Sequence, residues 1–301
     1  MIIFYGEGRL GNQVFQYQAL SHIAKLSEAI MAIGLEELQQ VFELRGPKLL
    51  ILTKSLLVKR IAKYLFIPLL VRPLARTLRL INYAMESTGG THPHTGATGE
   101  IQLQRGLINC ITFVDGGYYQ NSILWKEPFP AKLFHLKEEL RSAANNYLTS
   151  VITEDAKPIF VHVRRGDYLG YGSYGLTNFS LPAEYYRRAM QALSEQFERV
   201  HFVFVTDDAP WVADTFNDVI NKSIASFSAK MDFAIMAACR SGVLSNSTFS
   251  LAAAFMLDSP ETVIAPRYWF GFRVGEWYPP RIQVMHDKVN YIPVLASLES
   301  T

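Results

Sequence analysis

Cysteine is nearly missing from this chain: Cys110 and Cys239 are the only two in 301 residues. They form neither a CxxC pair nor a metal-like spacing, so no disulfide framework and no zinc site are expected, and a reducing, intracellular setting is. Charge is also scarce. Charged residues make up 19% of the chain and the formal net charge is +2, too near neutral to argue for nucleic acid. No stretch reaches the roughly 18 uninterrupted apolar residues of a membrane-crossing helix. The opening residues lack a basic n-region and a long apolar h-region, so no export signal is expected and a cytoplasmic location is.

One absence is local. Between residues 44 and 85 there is no Asp or Glu, while Lys54, Lys59, Arg60, Lys63, Arg72, Arg76 and Arg79 punctuate a leucine-rich run over 49–81. Pro68 and Pro73 argue against one continuous helix. Two readings stand for this basic helical insertion, about 45–85. Its cationic faces are simply solvated, or they dock on anionic lipid at the inner membrane face, where each basic residue is worth about 1 kcal/mol.

What is present is a globular composition, about half apolar, long enough for two domains. Residues 2–5, 29–33 and 108–114 read as strands, with a helix over 12–26. In the second half, strands at 159–163, 201–205, 243–244 and 263–265 alternate with helices over 182–197, 232–239 and 249–256. Such alternation implies βαβ units and parallel sheets, whose sites lie beyond the carboxyl ends of the strands. The polar stretch 153–158 is the expected interdomain link. It separates a first domain, 1–153, from a second domain, 154–275. A tail, 276–301, is expected to pack back on the first domain.

Three polar clusters fall at expected strand ends: Arg164 with Arg165, Asp207 with Asp208, and the run from Ser245 to Thr248. Arginine carries a permanent charge and a planar fork of donors that fits phosphate oxygens. A pair at the end of a buried strand is costly without a facing anion or carboxylate, so a salt-bridged loop and a diphosphate site compete here. The hydroxyl-rich turn is an ordinary helix cap if read alone. Beside two arginines it reads as a second set of phosphate donors. Asp207 and Asp208 could hold Mg²⁺ or cap the next segment; arginines already neutralising a diphosphate make a cation redundant. His162 shares a strand face with Arg164 and is either a core histidine or a base contact. His92 and His94 have no further ligands nearby.

Gly6-Glu7-Gly8-Arg9-Leu10-Gly11 matches GxGxxG after a strand, so an NAD-dependent oxidoreductase is one alternative. Its supporting acid would be Glu36 or Glu37, which come late. Gly11, Asn12 and Gln13 instead place amides and backbone N–H groups at a helix start, where sugar hydroxyls or phosphates bind. A membrane-surface binding protein that uses the basic insertion is the non-enzymatic alternative.

The segment from His162 to Asp167 resembles the HxRRxD signature of inverting fucosyltransferases. Residues 8–17, GRLGNQVFQY, are similar to the opening of the α-1,2-fucosyltransferases of glycosyltransferase family eleven. Gly117-Tyr118-Tyr119-Gln120 and the block from Leu244 to Ser250 resemble two further segments of that family, in its order. The resemblance implies an α/β, GT-B-like architecture, two Rossmann-type domains facing a cleft, with GDP-β-L-fucose on the second and a galactose-containing acceptor on the first. It implies that Arg164 grips the diphosphate, that His162 and Asp232 meet guanine or ribose, and that Ser247 and Thr248 meet the phosphates. Arg165 and Asp167 would shape the loop through a mutual pair. Fucose would be placed in α linkage on a galactose 2-hydroxyl with inversion and without metal, and the basic insertion makes a lipid-linked acceptor the expected form. Glu7 and Asp167 are the candidate bases. Glu7 departs from the family opening, as do Leu251, Ala252 and Ala253 where aromatics are usual; both departures bear on the acceptor more than the donor.

Overall fold

The computed structural model describes residues 1–24, 28–86, 101–120, 133–153, 155–173, 176–257, 261–278 and 289–295. His92 and His94 lie outside them. The chain divides into two units, Met1–His135 and Leu136–Thr301.

In the first unit the elements run β1 (Ile2–Tyr5), α1 (Leu10–Ile23), β2 (Ala29–Ile33), α2 (Leu38–Val41), β3 (Phe42–Leu44), β4 (Lys48–Ile51), α3 (Leu56–Ile61), β5 (Ile81–Glu86), β6 (Ile101–Gln104), β7 (Ile108–Val114) and β8 (Phe134–Leu136). Six strands form one sheet in the order β4-β2-β1-β7-β5-β6, parallel except for β6. β3 and β8 pair separately. α1 is buried almost all round from Leu10 to Leu20, which is why its sequence lacks an amphipathic period.

The basic insertion is not one α-helix. After α3 it continues through Ala62–Val71 and Pro73–Thr77 in wider π-type turns, with Pro68 and Pro73 inside them. A proline has no N–H to donate, so the turns around it must readjust. Val71 and Ala75 pack with Tyr83 and Phe113.

In the second unit the order is α4 (Glu138–Val151), β9 (Lys157–Val163), β10 (Gly172–Ser173), β11 (Leu176–Thr177), α5 (Ala183–Gln196), β12 (Val200–Thr206), α6 (Ala209–Thr215), β13 (Lys222–Ala225), α7 (Ala229–Ala238), β14 (Ser241–Val243), α8 (Thr248–Ala254), β15 (Thr262–Pro266) and β16 (Val289–Ile292). Its sheet is fully parallel in the order β13-β12-β9-β14-β15-β16. The first strand therefore lies in the middle, and the chain reverses its direction of travel between β9 and β14. Open α/β sheets bind ligands at that reversal, where loops from two neighbouring strands diverge. The face of β9 carrying Ile159, Val161 and Val163 packs on Tyr185, Tyr186 and Leu193 of α5. Beside β9, a Cβ on Gly242 would sit 2.1 Å from the Phe160 ring, so β14 can lie there only with glycine.

Two boundaries differ from those expected. The division falls at residue 135 rather than 153, because α4 buries Leu140, Ala144 and Leu148 and packs against α7 of the second unit. In the tail, β16 pairs with β15 and completes the second sheet.

Candidate functional site

At the reversal point of the second sheet, the loop after β9 carries Arg164, Arg165 and Asp167, and the loop after β14 carries Ser245, Asn246 and Ser247. His162 and Ser245 link the two strands by a buried hydrogen bond of 2.7 Å between Nδ1 and Oγ. Burial, helped by the nearby Arg164 charge, pushes the His162 pKa down to about 3, so the ring is neutral. Its Nδ1 is already committed to the core.

The arginines are held by aspartates, though not in the expected pairing. Arg164 bonds Asp167 at 2.7 Å and Asp207 at 2.9 Å. Arg165 turns to Asp208, at 3.1 Å, and stacks its guanidinium 3.9 Å from the centre of the Trp211 ring. In place of the expected Arg165–Asp167 pair there are three others, with Arg164 shared by Asp167 and Asp207 and Arg165 held by Asp208. The reason lies in the backbone: Asp207 accepts the N–H groups of Arg165 and Gly166, at 2.9 and 3.2 Å, and this fixes the direction in which each side chain leaves. Both contacts of Arg165 are within the protein, as suits a side chain that braces the loop. Asp208 also caps α6 by accepting from the Trp211 N–H, the capping role weighed for this pair.

Ser247 caps α8, its hydroxyl accepting from the Phe249 N–H, and Thr248 opens that helix. Asn246 donates to the Phe179 carbonyl at 2.8 Å, while its buried Oδ1 has no hydrogen-bond partner among the described residues. Asp232 lies in the first turn of α7 and accepts from the Phe227 N–H; burial raises its pKa to about 6. Tyr168 was missed. Its hydroxyl donates to the Asn246 carbonyl at 3.2 Å and its ring lies 5.6 Å from Arg164, joining the arginine loop to the hydroxyl loop. Its place directly after Asp167 was the only signal.

In the first unit, two motifs a hundred residues apart meet at the carboxyl ends of β1 and β7. The Gln16 amide donates to the carbonyls of Glu7 and Gly117, and Gln120 donates to Asn12 at 3.0 Å. The Gln13 amide accepts the Glu37 N–H and donates to the Gly8 carbonyl. Gly11 is buried, and the Glu37 carboxylate receives the Leu10 N–H at 2.9 Å. A carboxylate thus fills the helix start where a dinucleotide would set its phosphates. This removes the physical basis of the oxidoreductase alternative. Glu7 pairs with Lys63 at 2.6 Å. Asp115, just past β7, takes two hydrogen bonds from Arg72 and one from Tyr83. Burial opposes its charge, but those donors overcome it and hold its pKa below the usual carboxylate value.

A model of the family described as glycosyl transferase family 11 matches residues 104–271, which hold the arginine loop and the hydroxyl loop together. The chain belongs to that family. It is 28% identical over 290 residues to the O-antigen biosynthesis glycosyltransferase WbnK of Escherichia coli, spanning 87% of this chain and 93% of that one. Over 140 residues, 44% of this chain and 38% of the relative, it is 26% identical to galactoside 2-alpha-L-fucosyltransferase SEC1 of Bos taurus. Among solved structures, POFUT1 in complex with GDP-fucose superposes with a TM-score of 0.54 at 12% identity, covering 88% of this chain and 97% of that one. That likeness concerns the fold, and the GT-B-like pair of Rossmann-type units is the architecture expected from the sequence.

Because Arg165 combines an ion pair with ring stacking in a mostly buried place, Arg165→Ala should cost about 1–2 kcal/mol. Calorimetry should show a lowered unfolding midpoint that Arg165→Lys, lacking the planar fork, restores only in part. An unchanged midpoint would refute the bracing role.

Proposed function

We propose that this protein transfers L-fucose from GDP-β-L-fucose to the 2-hydroxyl of a galactose in a glycan acceptor, with inversion and without a metal ion. The observation that carries this reading is Arg164, set at the reversal point of the second sheet of a family 11 glycosyltransferase. The bond from fucose C1 to the β-phosphate oxygen breaks, the galactose oxygen bonds C1 from the opposite face, and its proton passes to a base. Negative charge grows on the departing diphosphate, so a fixed cation there stabilises the transition state more than the ground state.

Arg164 is held by two unequal carboxylates. Asp207 also binds the loop backbone, whereas the Asp167 side chain is 57% exposed. Donor binding exchanges Asp167 for the diphosphate on the guanidinium and keeps Asp207 as the anchor. The released Asp167 and the loop residue Glu7 are the candidate bases; an oxocarbenium-like transition state asks little of either. Ser247 and Thr248 supply hydroxyls to the phosphates, and Asp232 accepts from the donor groups of guanine. The acceptor sugar is met by the loops after β1 and β7, with Asn12 and Gln120 presenting amides. A lipid-linked form of that acceptor fits the basic insertion.

Arg164→Ala should lower transfer about 10²–10³-fold and weaken GDP binding; near-normal turnover in a linkage-resolved assay with galactosides would sink the mechanism. Transfer should persist in excess EDTA, and loss that Mg²⁺ restores would show that a cation acts at the site. Asp232 is ionised above its pKa of about 6, and only the carboxylate accepts two guanine donors. The ratio of GDP affinities, wild type over Asp232→Asn, should therefore fall about tenfold from pH 7 to pH 5. Titration of the nucleotide phosphate cancels in that ratio, and a ratio flat with pH would place Asp232 away from the base.

A further inference from the structure

The basic insertion of the first unit is turned the wrong way for a solvated helix. Leu56, Leu57 and Leu69 are 76%, 67% and 71% exposed, and Tyr64, Leu65 and Phe66 are more than half exposed. Monomeric proteins seldom leave so contiguous an apolar surface without a use for it. Three of the segment's cations are paired with acids of the first unit instead. Lys59 pairs with Glu36, Lys63 with Glu7, and Arg72 binds Asp115 through two nitrogens. These pins fix which flank faces out. Lys54, Arg60 and Arg76 have no carboxylate in pairing distance among the described residues. With no acid from 44 to 85, the segment itself adds only apolar and cationic groups to the exposed face.

We propose that this face docks on an anionic lipid bilayer. Its leucines and aromatics lie among the upper acyl chains, and Arg60, Arg76 and Lys54 meet the headgroups. Charge complementarity selects this occupant: a surface both greasy and predominantly cationic matches the boundary between lipid tails and anionic headgroups. No helix among the described residues is long and apolar enough to cross a membrane, so the contact is peripheral. The pins Glu7 and Asp115 sit at the carboxyl ends of β1 and β7, so the docking face is anchored at the sheet edge that carries the proposed acceptor loops. The docking itself does not depend on which sugar is transferred.

Flotation of the full chain with phosphatidylcholine vesicles, with and without phosphatidylglycerol, tests this. Binding should be roughly tenfold or more stronger to the anionic vesicles and weakened by high salt. A Leu65→Glu/Leu69→Glu variant should lose that binding while keeping its unfolding midpoint and its transfer to a soluble acceptor. Since the variant could fail to fold, a Leu65→Trp protein provides a second reading, with its emission shifting to the blue on anionic vesicles. Absence of flotation by the wild type, flotation unchanged in the glutamate variant, or no blue shift would overturn the proposal. So would a wild-type dimer that the glutamate variant converts to monomer, because a second copy would then be what covers the face.

Discussion

The Asp207 carboxylate is the constraint on which the arginine site depends. It stands at the end of β12, accepts two backbone N–H groups from the loop after β9, and pairs with Arg164. One side chain thus joins two neighbouring strands and decides which arginine points where. The same contact explains the glycine that follows the arginines. A Cβ on Gly166 would lie 2.8 Å from the Asp207 carboxylate, so any side chain there would push the anchor away from the loop it holds.

From this anchor the two adjacent arginines acquire different work. Arg165 is stacked and paired, and its loss is a matter of stability. Arg164 is shared between a fixed and an exposed carboxylate, so its charge is already balanced yet exchangeable. A cation left bare at the end of a buried strand would be costly, and one locked by two buried acids would be unusable. The unequal pair avoids both.

Much of this was legible in the sequence. The strands at 2–5, 29–33 and 108–114 were found as read, and the polar clusters at strand ends do converge where the second sheet reverses. Side-chain pairing was not legible: which of Asp167, Asp207 and Asp208 meets which arginine depends on the register of β9 against β12 and on the backbone turn at Gly166. The boundary at 135 was hidden because α4 has few apolar residues, and only its packing on α7 reveals its allegiance. The strands β4, β13 and β16 are short, and their pairing comes from the sheet rather than from their own periodicity. For the insertion, composition showed the excess of cations, but only the fold shows that three of them pair with Glu36, Glu7 and Asp115.

The carboxylate of Glu37 on the first turn of α1 has a consequence for how the two halves divide their labour. Both units are built on the same kind of parallel sheet, and each has a helix start beside its reversal point. In the second unit hydroxyls and an arginine crowd there. In the first, an internal acid already sits on the helix end, so that end is electrically satisfied before any ligand arrives. Two similar scaffolds thereby differ at corresponding places: one helix start has hydroxyls beside an arginine, and the other has a carboxylate. A nucleotide that strayed into the first unit would meet a negative group where it needs a positive one, so a single side chain makes one of two like folds inhospitable to phosphate.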